Sequence, residues 1–141
     1  MYRVLIVIGK NKSMNQAVVD SVLNLPGTSE ELEVFLLSVE QEYGTSGDGA
    51  YVESGKPTDK KLDEVLNTAA EWFEATDVSI ERKRTKGDPA ESILETAKSV
   101  NADCIAIGGQ KRSPTGKVLF GDITQSVLLN AECPVLVTMN E

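Results

Sequence analysis

The feature that most constrains the fold is the stretch from residue 104 to residue 137, CIAIGGQKRSPTGKVLFGDITQSVLLNAECPVLV. An apolar run that ends in Gly108-Gly109 is followed by a basic loop, by a predicted helix start at Gly121-Asp122 and by a second apolar run. A strand, a glycine turn, a helix N-terminus and another strand form the framework of a phosphate-binding site in an open α/β sheet. The remaining residues should therefore supply the other strands and helices of that sheet.

Aliphatic runs and amphipathic segments alternate along the whole chain. Strands are predicted at residues 4–8, 32–39, 78–84, 104–107 and 134–137, with a helical pattern between each pair. Runs rich in Val and Ile indicate strands that are buried on both faces, as in a parallel sheet. Residues 78–84 end in four charges and are predicted to form an edge strand. The pattern predicts an α/β fold, with residues 1–141 forming a single domain around an open five-stranded parallel sheet that has helices on both faces.

Four polar residues are predicted to be N-caps. Thr58 precedes the second amphipathic segment. Ser13 stands three residues before Gln16, Asp88 precedes Pro89, and Asp122 opens the last amphipathic segment.

Between the second strand and the second helix, residues 40–57 contain four glycines and show no regular spacing of apolar residues, so they predict a long mobile loop. If the protein has a ligand, we expect this loop to act as a lid or partner contact.

Composition excludes several classes of function. The 22 acidic and 14 basic residues give a net charge of −8, which disfavours nucleic acids and anionic membranes as general partners. No apolar run reaches the ~20 residues of a membrane span, and the apolar N-terminal run is too short for a signal peptide, so we predict a cytoplasmic protein.

Without histidine, Ser-His-Asp and Cys-His catalysis are excluded. Two cysteines are expected to be buried reduced thiols and not zinc ligands.

Two segments, GDPAESILETAKSVNADCIAIGG and GDITQSVLLNAECPVLV, together with the order of elements, resemble the universal stress protein family over essentially the full chain. The resemblance implies an adenine nucleotide α-hydrolase-like fold with strand order 3-2-1-4-5. Strands 1 and 4 would then flank the switch point, the place in the sheet where the strand order reverses. It also implies a homodimer through the fifth strand. The edge residues concerned would be Pro134, Val135, Leu136 and Val137.

Many members of that family bind ATP through the pattern G-x-x-G-x9-G-[ST], so the resemblance implies ATP or another adenine nucleotide, with or without Mg²⁺, as the cofactor. Gly108 and Gly121 fill two positions of the pattern, whereas Lys111 replaces its second glycine and Asp122 its Ser or Thr. The aspartate that commonly ends the family's first strand and meets the ribose corresponds to Lys10. These three departures leave ATP binding open.

The residues themselves favour an anion site at the same place. Lys10 and Lys12 would approach the switch point from strand 1, and Lys111, Arg112 and Lys117 from strand 4. Main-chain N–H groups at the start of the last helix favour an anion. The predicted nucleotide-binding residues are Ile8, Gly9, Lys10, Val39, Ile107, Gly108, Gly109, Lys111, Arg112, Gly121, Asp122 and Ile123.

Three functions compete at this stage. The first is a small stress-response protein that binds a nucleotide or other phosphate-bearing ligand and acts through partners. The second is a nucleotide-independent, dimeric regulatory or chaperone-like interaction protein. The third, a weak ATPase, is the least supported, because the chain lacks histidine and no acidic pair is evidently placed to orient water. We therefore lean away from an enzyme.

Overall fold

The computed structural model describes residues 1–26, 31–41, 59–110 and 121–140, in which strands and helices alternate. The elements are β1 (Tyr2–Val7), α1 (Lys12–Leu23), β2 (Leu32–Gln41), α2 (Asp59–Glu71), β3 (Ser79–Gly87), α3 (Pro89–Ser99), β4 (Cys104–Gln110), α4 (Asp122–Asn130) and β5 (Val135–Asn140).

The strands form one five-stranded sheet in the order β3-β2-β1-β4-β5, and every neighbouring pair is parallel. The predicted fold class is therefore confirmed, as is the edge position of β3. β5 forms the other edge, and β1 lies at the centre. Within the described ranges, no helix is long and apolar enough to cross a membrane.

Helices cover both faces of the sheet. Val4 and Ile6 of β1 belong to a core cluster with α1 and α2, while Leu5 between them belongs to a second cluster with α3 and α4. Successive side chains of a strand point to opposite faces, so a central strand between two helical layers must be apolar at every position. This explains the continuous aliphatic run at the start of the chain.

Of the four predicted N-caps, one is correct, two are wrong, and Thr58 lies outside the described residues. Asp88 caps α3 as predicted and accepts a hydrogen bond from the Glu91 N–H at 3.0 Å. The N-cap of α1 is Asn11, not Ser13, and its Oδ1 accepts from the Met14 N–H at 3.0 Å. The N-cap of α4 is Gly121, which makes Asp122 the first helical residue. Gly121 has φ 92° and ψ 153°, a conformation that glycine alone adopts readily.

The strands β2 to β5 each extend further at the carboxyl end than the corresponding apolar run predicts. Hydrogen bonding to neighbouring strands continues through polar residues and glycines, which a search for hydrophobic runs does not detect. As a result, Glu40 and Gln41 belong to β2 and not to the predicted 40–57 loop. The rest of that loop lies outside the described residues.

Candidate functional site

The central strand ends before its neighbours at the carboxyl end of the sheet. The last paired positions are Val7↔Leu37 for β1–β2, Ile6↔Ala106 for β1–β4, Gln41↔Gly87 for β2–β3 and Gln110↔Asn140 for β4–β5. β1 and β4 thus separate while the outer pairs continue. We call this opening the β1/β4 cleft, bounded by residues 8–11, 38–41, 107–110 and 121–124. It is the switch point of the sheet, the position where open α/β sheets bind ligands.

A buried asparagine holds the turn that follows β1. The Asn15 side chain accepts a hydrogen bond from the Gly9 N–H and donates one to the Gly9 carbonyl, both at 2.8 Å. Asn15 is only 4% exposed, although it is polar. Its two bonds fix the path of the chain from β1 into α1. The sequence did contain a signal, because Asn15 falls on the buried face of α1 with Val18, Val19 and Val22.

Gly108 on β4 lies directly under a side chain from α1. A Cβ atom at position 108 would come within 2.5 Å of the Met14 Sδ and 2.6 Å of its Cγ. Only glycine therefore fits at this position while Met14 keeps its observed conformation. Sequence reasoning did not include Met14, because hydrophobic periodicity assigns it to ordinary core packing.

The N-terminus of α4 is attached to the same part of β4. Thr124, which is 5% exposed, donates a hydrogen bond from its Oγ1 to the Gly108 carbonyl at 2.8 Å. Gly121 has no side chain to cap the N–H groups of the first turn, and no atom of the described residues lies within 4 Å of the place where its Cβ would be. Asp122 and Ile123 are exposed in this turn. The first N–H groups of a helix have no partner within the helix, so this helix end can accept an anion beside β4.

Not every predicted site residue has its side chain at the cleft. Ile8 and Ile107 are 3% and 4% exposed and pack into opposite core clusters, so only their main chains can meet a ligand. Val39 packs against the α3/α4 cluster, and Lys10 is exposed beside Gly9. The predicted contributions of Lys111, Arg112 and Lys117 lie outside the described residues.

The groups with perturbed acidity lie away from the cleft. Burial raises the pKa of Tyr2, Cys104 and Cys133, and nearby negative charges raise these values further. Tyr2 and Cys104 begin β1 and β4, and Cys133 precedes β5, so all three are at the amino end of the sheet. Among the described side chains, no group of three or more potential metal ligands is assembled.

The family model and a curated relative both identify the same protein family. The model of the universal stress protein family matches residues 1–138. Universal stress protein MJ0531 of Methanocaldococcus jannaschii is 27% identical over 109 residues, which cover 77% of this chain and 64% of that protein. The matched region thus spans less than two thirds of this relative's length.

Solved structures share the fold at low sequence identity. A universal stress protein from Archaeoglobus fulgidus has a TM-score of 0.72 and 21% identity, with 98% of each chain covered. The universal stress protein from Archaeoglobus fulgidus in complex with dAMP has a TM-score of 0.66 and 17% identity, again with 98% of each chain covered. An AMP-bound protein from Arabidopsis thaliana has a TM-score of 0.66 and 15% identity, covering 100% of this chain and 93% of that one. A further structure in complex with cAMP has a TM-score of 0.68 and 17% identity, with 99% and 98% covered.

Proposed function

Because the chain belongs to the universal stress protein family, we propose that it binds an adenine nucleotide in the β1/β4 cleft and acts through protein partners. Structures of the same fold hold AMP, dAMP or cAMP, which supports a ligand of this class. Adenosine monophosphates share an adenine ring, a ribose or deoxyribose and one phosphate. AMP is therefore the first probe to use.

One observation carries the proposal: the first turn of α4, whose N–H groups have no partner within the helix, lies against β4 at the cleft. The Thr124–Gly108 hydrogen bond holds this helix end against β4, and within the described ranges no atom comes within 4 Å of a Cβ built on Gly121. A phosphate here would receive main-chain hydrogen bonds and the favourable end of the helix dipole. The exposed ammonium group of Lys10 adds positive charge on the β1 side.

The charge of Asp122 favours ligands with few phosphates. Its carboxylate is in the first turn of α4, where it repels an anion that approaches the same N–H groups. The repulsion increases with each added phosphate charge, so AMP should bind at least as well as ATP when Mg²⁺ is absent. A bound Mg²⁺ would offset the charge and favour ATP.

The first experiment identifies what the protein carries. Mass spectrometry of the purified and then denatured protein should detect AMP, ADP or ATP, and calorimetric titration with AMP should give saturable binding. Lys10→Ala should weaken that binding, whereas Lys98→Ala, which removes an exposed lysine at the far end of α3, should not. A blank in mass spectrometry and in titrations with AMP and ATP would refute the proposal.

A nucleotide-independent interaction protein is the second candidate. Leu129 on α4 is 75% exposed and its neighbour Leu128 is 37% exposed, an apolar surface of the kind that partner proteins cover. A stable dimer with no measurable nucleotide binding would favour this function over the first.

A further inference from the structure

We infer that Met14 controls the access of the nucleotide to Gly108, an inference that rests on the proposed function. The side chain fills the space over Gly108 on the α1 side of β4. A sugar or phosphate that comes close to this glycine from that side needs the room that the thioether takes. The residue at position 14 therefore sets both the affinity and the size of the group that can approach β4.

The position of Gly108 in β4 explains the contact. Cys104 and Ala106 belong to the core cluster that includes α1, and Gly108 continues this alternation on the same face. Met14 packs against the same cluster from the first turn of α1. Gly108 is also the first residue on this face of β4 beyond the last β1–β4 pair, Ile6↔Ala106. Met14 thus covers β4 where the cleft opens.

The backbone of Met14 is held in place, so a rotamer change of the side chain is the movement that would uncover Gly108. The Met14 N–H donates to Asn11 Oδ1, and the next residue, Asn15, is bonded twice to Gly9. The side chain is only partly buried and is unbranched, with three rotatable bonds. It can therefore leave the space over Gly108 without any movement of α1.

This arrangement reduces the apparent affinity in proportion to the population of the open rotamer. If the side chain is withdrawn in one-tenth of the molecules, the measured dissociation constant is about tenfold higher than that of the open site. Met14→Ala keeps the helix and removes the obstruction. We expect it to bind AMP about three- to tenfold more tightly than the wild type.

Two variants serve as matched controls in the same titration. Met14→Leu keeps a side chain of similar volume over Gly108, so it should show no gain in affinity. Leu23→Ala removes a partly buried side chain that packs against the same cluster from the other end of α1. It should lower the melting temperature and leave the affinity for AMP unchanged.

Methyl NMR spectroscopy can show whether AMP acts on the Met14 side chain. The chain has three methionines, Met1, Met14 and Met139, so ¹³C-methyl labelling gives three signals that single substitutions assign. AMP should shift the Met14 signal because the methyl group moves or meets the ligand. The Met1 signal, from a residue that is 75% exposed at the amino end of β1, should not move.

The contact can also be tested without any ligand. Gly108→Ala should lower the melting temperature in the wild-type background, because the new methyl group meets Met14. The loss should be much smaller when Met14→Ala is already present, a coupling that a double-mutant cycle measures. Equal losses in both backgrounds would overturn the inference.

The remaining outcomes separate this inference from the proposed function. If AMP binds the wild type and Met14→Ala does not bind it more tightly, the control by Met14 is refuted and the nucleotide site stands. If mass spectrometry detects no nucleotide and no variant binds AMP or ATP, both are refuted, whatever the melting temperatures show.

Discussion

Asn15 is a buried polar side chain on which the β1–α1 turn depends. Its two hydrogen bonds to Gly9 satisfy both polar ends of its amide. Asn15→Ala should lower the free energy of unfolding by about 1–3 kcal/mol, the usual cost of losing buried hydrogen bonds of this kind. Urea denaturation measures the change. Gln16→Ala, at the exposed next position of α1, should stay within about 0.5 kcal/mol of the wild type, and an equally small effect of Asn15→Ala would contradict the assignment.

Asp122 places a negative charge where the phosphate is expected. Asp122→Asn removes the charge with little change in size, so AMP should bind roughly two- to fivefold more tightly, the range typical of exposed charges. Calorimetry with and without Mg²⁺ checks this, and the gain should shrink for ATP when Mg²⁺ is present. Glu95→Gln, an exposed carboxylate on α3, is the control. An unchanged affinity in Asp122→Asn would show that the phosphate is not at α4.

Cys133 should be a slowly reacting thiol. Burial, followed by the charges of Asp103 and Glu132, raises its pKa above the usual 9.0. Only the thiolate reacts with a disulfide reagent, so the rate at pH 8 should be low and should increase with pH until the raised pKa is passed. Glu132→Gln lowers that pKa and should speed the reaction at pH 8, whereas Glu95→Gln should not. Equal rates in the two variants would argue against the influence of Glu132.

At the level of elements, the start of α4 depends on the backbone of Gly121. Its φ of 92° is unfavourable for any residue with a Cβ, although no atom of the described part of the chain lies close enough to clash with one. Gly121→Ala should therefore cost about 1–3 kcal/mol of unfolding free energy through backbone strain alone. Gly9→Ala is a matched control, because a Cβ there meets only Asn15 Oδ1 at 4.0 Å. If chemical denaturation shows equal losses for the two variants, the strain at Gly121 is not the cause.

At the level of the whole molecule, the two edges of the sheet differ in character. β3 carries charges held in ion pairs, with Lys83 at 3.1 Å from Glu81 and Arg84 at 2.7 Å from Asp63. Charged edges resist pairing with another sheet. β5 instead begins with the apolar residues 135–137, which are only half-buried. The apolar edge is the one suited to a second copy of the chain.

We propose a symmetric homodimer through β5, around Pro134, Val135, Leu136 and Val137. Val135→Lys should give a monomer in sedimentation, because it brings two like charges together at the contact. Circular dichroism must show that the variant remains folded, since Val135 also packs against the α3/α4 cluster. Glu81→Lys on the opposite edge should leave the dimer intact. A wild type that is monomeric at micromolar concentration would exclude this assembly.

Local patterns along the chain were sufficient to predict the alternation of strands and helices, the parallel sheet and the α3 cap at Asp88. Burial of an aliphatic run or an amphipathic face depends on residues that are close in sequence. The strand order came from the family resemblance, because alternation alone is compatible with several orders. The glycines at positions 108 and 121 also marked the region where β4 ends and α4 begins, although β4 continues to Gln110 and the N-cap of α4 is Gly121 itself.

The assembled sheet determined the details of the cleft. How far β1 extends beside its neighbours depends on pairing between residues about 30 and 100 positions apart, such as Val7↔Leu37 and Ile6↔Ala106. The bond from Thr124 to Gly108 and the contact of Met14 with Gly108 likewise join separate elements. The spacing of apolar residues along the chain does not encode such contacts. It shows which side chains of an element are buried, but not which residues of another element they contact. Their geometry exists only after the helices have packed onto both faces of the sheet.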